Sequence, residues 1–420
     1  MKHILAILCV FLFSTAVLPA QNVEFSGHFR ERSEFDDRSF FEESHHDVYH
    51  VLRVRLRADA QVNEQVRVVA ELQDARMFGQ EASVLNTGAA HFDLRQGFVE
   101  VTGLADGLLS FKLGRQVLAY GNQRLLGESP WNNFSRSFDA GVLRLTGGEF
   151  SFDAIGAAVT RNPVNPDYTR DVFLAGGWAV WAPAERDYTV EGFLLYDNPE
   201  GSPVPEGGTV RQNRMTAGFY SAGQAGNFDY KVDAALQTGD YMPLAPGSES
   251  RDISANLIGV RLGYTFENLA GLRLGAGIDR LSGQDPDDPD TYGAFNTLYA
   301  SNHRSYGHMD YFTNIPLHTD ELGLQNIIVQ ASLVPAGGLT VGADVHLFST
   351  VIDPAERGGS SAEFEQSIGT EIDAYAKWTI ADAVNMTLGY SMFSGSENRP
   401  LLPGTADAAN WGYLMTTVNF

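Results

Sequence analysis

Two rhythms run through this chain, and together they leave few folds open to it. The first has period two. In "HVLRVRLRADAQV" (50–62), Leu52, Val54, Leu56, Ala58 and Ala60 alternate with Arg53, Arg55, Arg57, Asp59 and Gln61. Such alternation is a β-strand with one apolar and one polar face. "FDYKVDAALQTG" (228–239), "LTVGADVHLF" (339–348) and "IGTEIDAYAKWTI" (368–380) repeat it, and about eighteen segments of roughly ten residues can be marked out. The second rhythm is in the links. Short ones fall at 63–64, 103–107, 147–149, 183–186, 223–226, 267–271, 335–338 and 381–383. Longer polar ones alternate with them near 35–47, 75–90, 119–135, 198–209, 239–252, 283–322, 350–367 and 395–409. A short link near 161–170 joins the second set by position.

Short turns at one end and long loops at the other predict an all-β fold. It is a transmembrane antiparallel β-barrel of about eighteen strands, with short periplasmic turns and long extracellular loops. Closure follows because lipid tolerates no unpaired strand edge. A barrel of this size encloses a water-filled lumen rather than a packed core.

The N-terminal "MKHILAILCVFLFSTAVLPA" has a short basic start, an apolar run and a small-residue end, and reads as a secretory signal over 1–20. Residues 21–420 then form a single barrel domain. The lone cysteine, Cys9, lies in that signal, so no disulfide or thiolate chemistry is expected of the exported chain. No stretch approaches 18 consecutive apolar residues. The chain closes on "GYLMTTVNF", with Leu414, Thr416, Val418 and Phe420 on one face. This looks like the terminal strand that barrel-insertion machinery reads. The expected location is the outer membrane of a Gram-negative bacterium, with its lipid as a partner.

The charge is uneven. Without the signal the bases number 28 against 52 acids, and half of those bases lie before residue 145. A strongly negative chain argues against nucleic acid as a partner. By strand parity Arg53, Arg55, Arg57, Arg67, Arg95, Lys112 and Arg144 face the lumen, whereas acids crowd the outer links in "FDDRSFFEE" (35–43) and "QDPDDPDTYG" (284–293). Guanidinium groups stay charged and grip carboxylates in a fork. A ladder of weak exposed contacts suits passage of anions, where binding must not become trapping. The alternative is bracing, with the arginines tied to lumen acids such as Asp59, Glu71, Asp93 and Asp139.

The run "FKLGRQVLAYGNQRLLGESPWNNFSRSFDAGVLRL" (111–145) carries a resemblance, through "LGRQ", "YGNQRLLG" and "W…RSFDAGVLRL". With "LRVRLRADAQV", "DLRQGFVEV" and "YGHMDYF" (306–312), it is similar to the alginate-export family of outer-membrane barrels. The resemblance implies an eighteen-stranded barrel whose arginine-lined constriction passes an acidic polysaccharide such as alginate. It adds Arg115, Arg124 and Arg136 as candidate selectivity residues. Parity sets Arg115 beside Phe111 and Leu113, so an inward position for it requires a bulge at Gly114. The other reading of function is a diffusion porin for small anions with another cargo.

Catalysis is not expected, because no histidine sits in a GxSxG or HExxH setting. No cofactor is expected either. Asp285, Asp287, Asp288 and Asp290 offer oxygens for calcium, but Pro289 breaks the EF-hand spacing. His303, His308 and Asp310 are a weaker candidate for zinc. The 283–322 link is long enough to fold into the pore or to form an outer surface.

Overall fold

A computed structural model describes residues 22–39, 46–80, 92–161, 170–203, 209–244, 247–357, 365–396 and 408–420. The segment read as a secretory signal and the centres of several outer links lie outside the described residues. Among the described residues twenty strands form one closed sheet. Eighteen are the staves of the barrel. They are β1 (Asn22–Asp37), β2 (Asp47–Gln61), β3 (Val66–Met77), β4 (Phe92–Leu104), β5 (Leu109–Gln116), β6 (Phe138–Gly147), β7 (Phe150–Thr160), β8 (Val172–Trp181) and β9 (Tyr188–Asp197), followed by β11 (Thr209–Ala225), β12 (Phe228–Pro243), β13 (Arg251–Phe266), β14 (Leu272–Leu281), β16 (Leu324–Ala336), β17 (Leu339–Ser349), β18 (Ser367–Ala381), β19 (Val384–Gly395) and β20 (Ala408–Asn419). β10 (Glu200–Pro203) and β15 (Thr291–Tyr292) are short additions at the outer end.

Each stave pairs antiparallel with the next, and β20 returns to β1 in continuous register from His28↔Asn419 to Asp37↔Asn410. The seam leaves no free edge for lipid to meet. At its lower end the Phe420 ring lies over Gly27, where any Cβ would collide with it.

The period-two pattern sorts the wall as expected. Leu56, Leu236, Leu262 and Leu388 are each more than half exposed and form the lipid face. Aromatics gather at the turn end, with Phe150 stacked on Trp181 and Phe228 edge-on to Tyr264. This is the interfacial girdle of a membrane barrel.

The lumen is not simply basic. Asp279, Glu371 and Asp373 are wholly buried on the inner wall. The expectation of acids outside and arginines inside is therefore corrected: both signs line the interior, on alternate residues of the same strands.

Candidate functional site: a basic lumen crossed by two loops

Two outer links turn inward and meet. One spans 117–137, the other 282–323. They join by a parallel bridge at Leu126↔Tyr299. The amides of Gly127 and Tyr299 donate to the carbonyls of Tyr299 and Leu125, each at 2.9 Å, and Ser301 donates to Gln123 at 2.9 Å. The second loop buries Phe295, Tyr306, Met309, Phe312 and Ile315 against wall residues Phe348, Phe393 and Trp411. The first packs Leu118 and Leu126 against Phe138, Ile155, Leu174 and Trp178. Apolar burial thus holds both loops inside the barrel.

The arginines of β1 and β2 face the lumen, and the first inward loop lies across them. Arg53 donates to the carbonyl of Pro130 at 3.1 Å and of Asn132 at 3.3 Å, and to Ser135 Oγ at 3.1 Å. Its cross-strand neighbour Arg30 donates to Pro130 O at 2.8 Å and Asn133 Oδ1 at 2.9 Å. Arg55 reaches Ser135 Oγ at 2.9 Å and Gln73 at 2.8 Å. Arg32 donates to Trp131 O at 2.9 Å, and its guanidinium carbon lies 3.8 Å from the Trp131 ring centre.

Other candidates are paired on the wall. Arg57 meets Asp59 at 3.0 Å and Glu71 at 3.5 Å. Arg67 bridges Asp59 at 2.5 Å and Glu100 at 3.0 Å. Arg144 holds Asp153 at 2.6 Å. Arg95 reaches the lumen at a bulge, where the register slips between Glu71 and Leu72. Both Arg95 and Gln96 then bond Glu71, and Arg95 also pairs with Glu128 of the loop at 2.5 Å. Lys112 lies 4.0 Å over the Phe98 ring, with no carboxylate within 4 Å among the described residues.

The three residues brought in by resemblance part company. Arg115 stays in continuous register through Gly114, so it shares the outward face of Leu113 and pairs with Asp139 at 3.3 Å and Asp93 at 3.6 Å. No bulge turns it inward, and the lumen position is corrected. Arg136 knots the two loops, donating to Gly127 O at 2.9 Å and Ala300 O at 3.1 Å. Burial away from any carboxylate lowers its pKa.

Arg124 crosses to the far wall. It meets Asp233 on β12 at 3.1 Å, Asp279 on β14 at 3.0 Å and the Tyr306 hydroxyl at 2.8 Å. Between those carboxylates, in register on β13, stands Gly259. A Cβ there would lie 2.7 Å from Asp233 Oδ1 and 2.8 Å from Asp279 Oδ1. The glycine makes the floor of a guanidinium socket. Burial works against the Arg124 charge, but Asp279, Tyr306 and Asp233 outweigh it and hold the pKa well above its ordinary value.

Beside this strut is a chamber lined by Arg124, Lys231, Arg261, Arg273 and Arg304, with Asp233 and Asp344 as its acids. Arg261 is paired with Asp279 and Arg273 with Asp229. Lys231 and Arg304 have no carboxylate within 4 Å among the described residues and are both exposed. These two were not among the sequence candidates. Lys231 was legible by parity in "FDYKVDAALQTG"; Arg304 sits in an inward loop, where no parity applies.

The acidic link binds itself. Asp288 accepts from the Thr291 hydroxyl at 2.6 Å and from the amides of Asp290 and Thr291, and Asp285 accepts from the Asp287 amide. Among the described residues no three metal-ligating side chains converge, at the calcium candidate or the zinc candidate. His303 Nδ1 instead lies 3.0 Å from Asp310, and its ring stacks between Trp131 and His308.

Solved barrels share this architecture. OccK9 (OpdG) of Pseudomonas aeruginosa is 13% identical, with a TM-score of 0.60 over 95% of this chain and 98% of that one. OprD of the same organism is 13% identical, with a TM-score of 0.58 over 95% and 94%. OpdK, solved with vanillate, is 12% identical, with a TM-score of 0.56 over 94% and 98%. At such identities the likeness shows the fold alone. No curated protein matches by sequence. The sequence profile for alginate export matches residues 21–397. An eighteen-stranded barrel of this kind is an outer-membrane channel of Gram-negative bacteria, and the chain belongs to the alginate export family.

Proposed function

We propose that the channel passes anionic solutes by passive electrostatic selection, with no covalent step. The observation that carries this reading is the pair Lys231 and Arg304, two exposed lumen cations with no carboxylate within 4 Å among the described residues. They stand among further guanidinium groups, so an anion in the chamber meets an excess of positive charge. Of the candidate arginines, Arg53, Arg55, Arg95, Arg124 and Arg136 hold the inward loops that give the passage its shape, whereas Arg57, Arg67, Arg115 and Arg144 pair with acids on the wall.

Family membership supports an acidic polysaccharide such as alginate as cargo. A second reading, small anions, is supported by the two loops that pack from wall to wall across the lumen. The test is the reversal potential of the purified barrel in a planar bilayer under a salt gradient. An anion-selective potential is expected, moving toward zero in Lys231→Gln with Arg304→Gln. A cation-selective potential overturns the proposal. Current block by uronate oligomers of increasing length then separates the cargos: block that strengthens with length favours the polymer.

A further inference from the structure

On the near side of Arg304 lies a second cavity, of about 310 Å³, between β1, β2, β20 and the two inward loops. Arg30, Arg53 and Arg304 line it, with Trp131 and Met415 as much of its apolar wall. Arg30 and Arg53 are 3% and 4% exposed and stand opposite each other in register. Buried charges are ordinarily paired with an opposite charge. These are not: their partners are carbonyls, Asn133, Ser135 and His28, and no carboxylate lies within 4 Å among the described residues. The Nε atom of each is buried without a hydrogen-bond acceptor. Arg304, exposed at the same cavity, lacks a carboxylate too.

We infer that this cavity is a binding site for a small organic carboxylate with an apolar body. Arg304 makes the contact with the carboxylate. Arg30 and Arg53 stand behind it and supply an uncompensated field through a poorly polarisable wall. Trp131 and Met415 seat the apolar body. His28 suits this setting only as a neutral ring, because its Nε2 accepts from Arg53 at 3.2 Å. The assignment names a ligand class and a place for it, and it rests on reading the lumen as an anion path.

The test uses the full barrel in detergent, with 4-bromobenzoate in co-crystals and benzoate in calorimetry. A bromine anomalous peak is expected inside the cavity, with the carboxylate toward Arg304. Among the described residues Arg304 bonds no other side chain, so Arg304→Gln leaves the fold intact and weakens benzoate by about tenfold, the loss of one charge-assisted contact. Benzyl alcohol, with the same ring and no charge, binds at least as weakly as benzoate binds the variant. No bromine in the cavity, equal binding of benzoate and benzyl alcohol, or an unchanged affinity in Arg304→Gln overturns the inference. A cation-selective reversal potential with benzoate still bound removes the transport reading and leaves the site standing.

Discussion

Arg124 Nη2 lies 3.0 Å from Asp279 Oδ1, so a side chain from a loop rooted between β5 and β6 is anchored on β14, across the lumen. Asp279 is wholly buried and also receives Arg261 at 2.5 Å. The contact is an ionic strut, and the loop's path depends on it.

Removing the strut takes the cation from Asp233 and leaves Asp279 with Arg261 alone. Arg124→Gln leaves Asp233 and Asp279 without the cation between them, a change that costs about 3–5 kcal/mol for a buried pair losing one member. The expected results are a lower unfolding midpoint and a larger, noisier single-channel conductance as the loop leaves the far wall. A conductance trace identical to wild type would show that the loop keeps its place without the strut.

The socket has a floor that tolerates no side chain. Gly259→Val puts carbon atoms among the Asp233 and Asp279 oxygens, so it should reproduce the Arg124→Gln phenotype while Arg124 itself is intact. Gly156→Ala, where nothing lies within 4 Å of the new Cβ, serves as the silent control. If Gly259→Val conducts and melts like wild type, the socket has no part in fixing the loop.

Selectivity and shape should separate. Lys231→Gln is expected to move the reversal potential toward zero with little change in conductance. Arg53→Ala removes three contacts to the first inward loop, so it should raise current fluctuations more than it changes selectivity. The opposite pattern would return the selective role to the β2 ladder.

The second inward loop should loosen in acid. Burial holds the His308 and His318 imidazoles below their ordinary value of about 6.5. His308 faces Asp373 at 3.8 Å and the ring of His303, with Asp310 and Lys377 nearby. Both rings resist protons in the folded state that the unfolded chain accepts. Their stabilising effect is therefore full above about pH 6.5 and is lost as pH falls below it. Amide exchange over 282–323 at pH 7.5 and 5.5 reads this directly. His308→Asn with His318→Asn should flatten the difference, and an equally steep change in that variant would assign it elsewhere.

The barrel was legible because its signals are local. Side-chain alternation marks each strand, and the length of a link marks which end of the barrel it closes. The partners of the lumen arginines were not legible, because they depend on where two long loops travel. Nothing in "GESPWNNFS" says that its carbonyls will lie over Arg30 and Arg53. The buried acids could have been found by the same parity that found the arginines: Asp233 in "KVDAALQ", and Glu371 and Asp373 in "TEIDAYAK", fall on inner positions. Arginine density is highest in the first third of the chain, whereas Lys231 and Arg304, exposed in the chamber, lie on β12 and in the second inward loop. Arg95 faces inward, as its alternation with Leu94 has it, but the bulge that brings Gln96 to the same side was not legible.

The wall grips the first inward loop largely by its main chain. Arg30, Arg32 and Arg53 take the carbonyls of Pro130, Trp131 and Asn132, and Gln73 takes that of Phe134 at 2.9 Å. A carbonyl is the same whatever side chain it carries. The attachment therefore survives rewriting of many of the residues it holds, and the aperture can be retuned by substitution alone. The basic wall is in this sense a fixed clamp for an exchangeable insert.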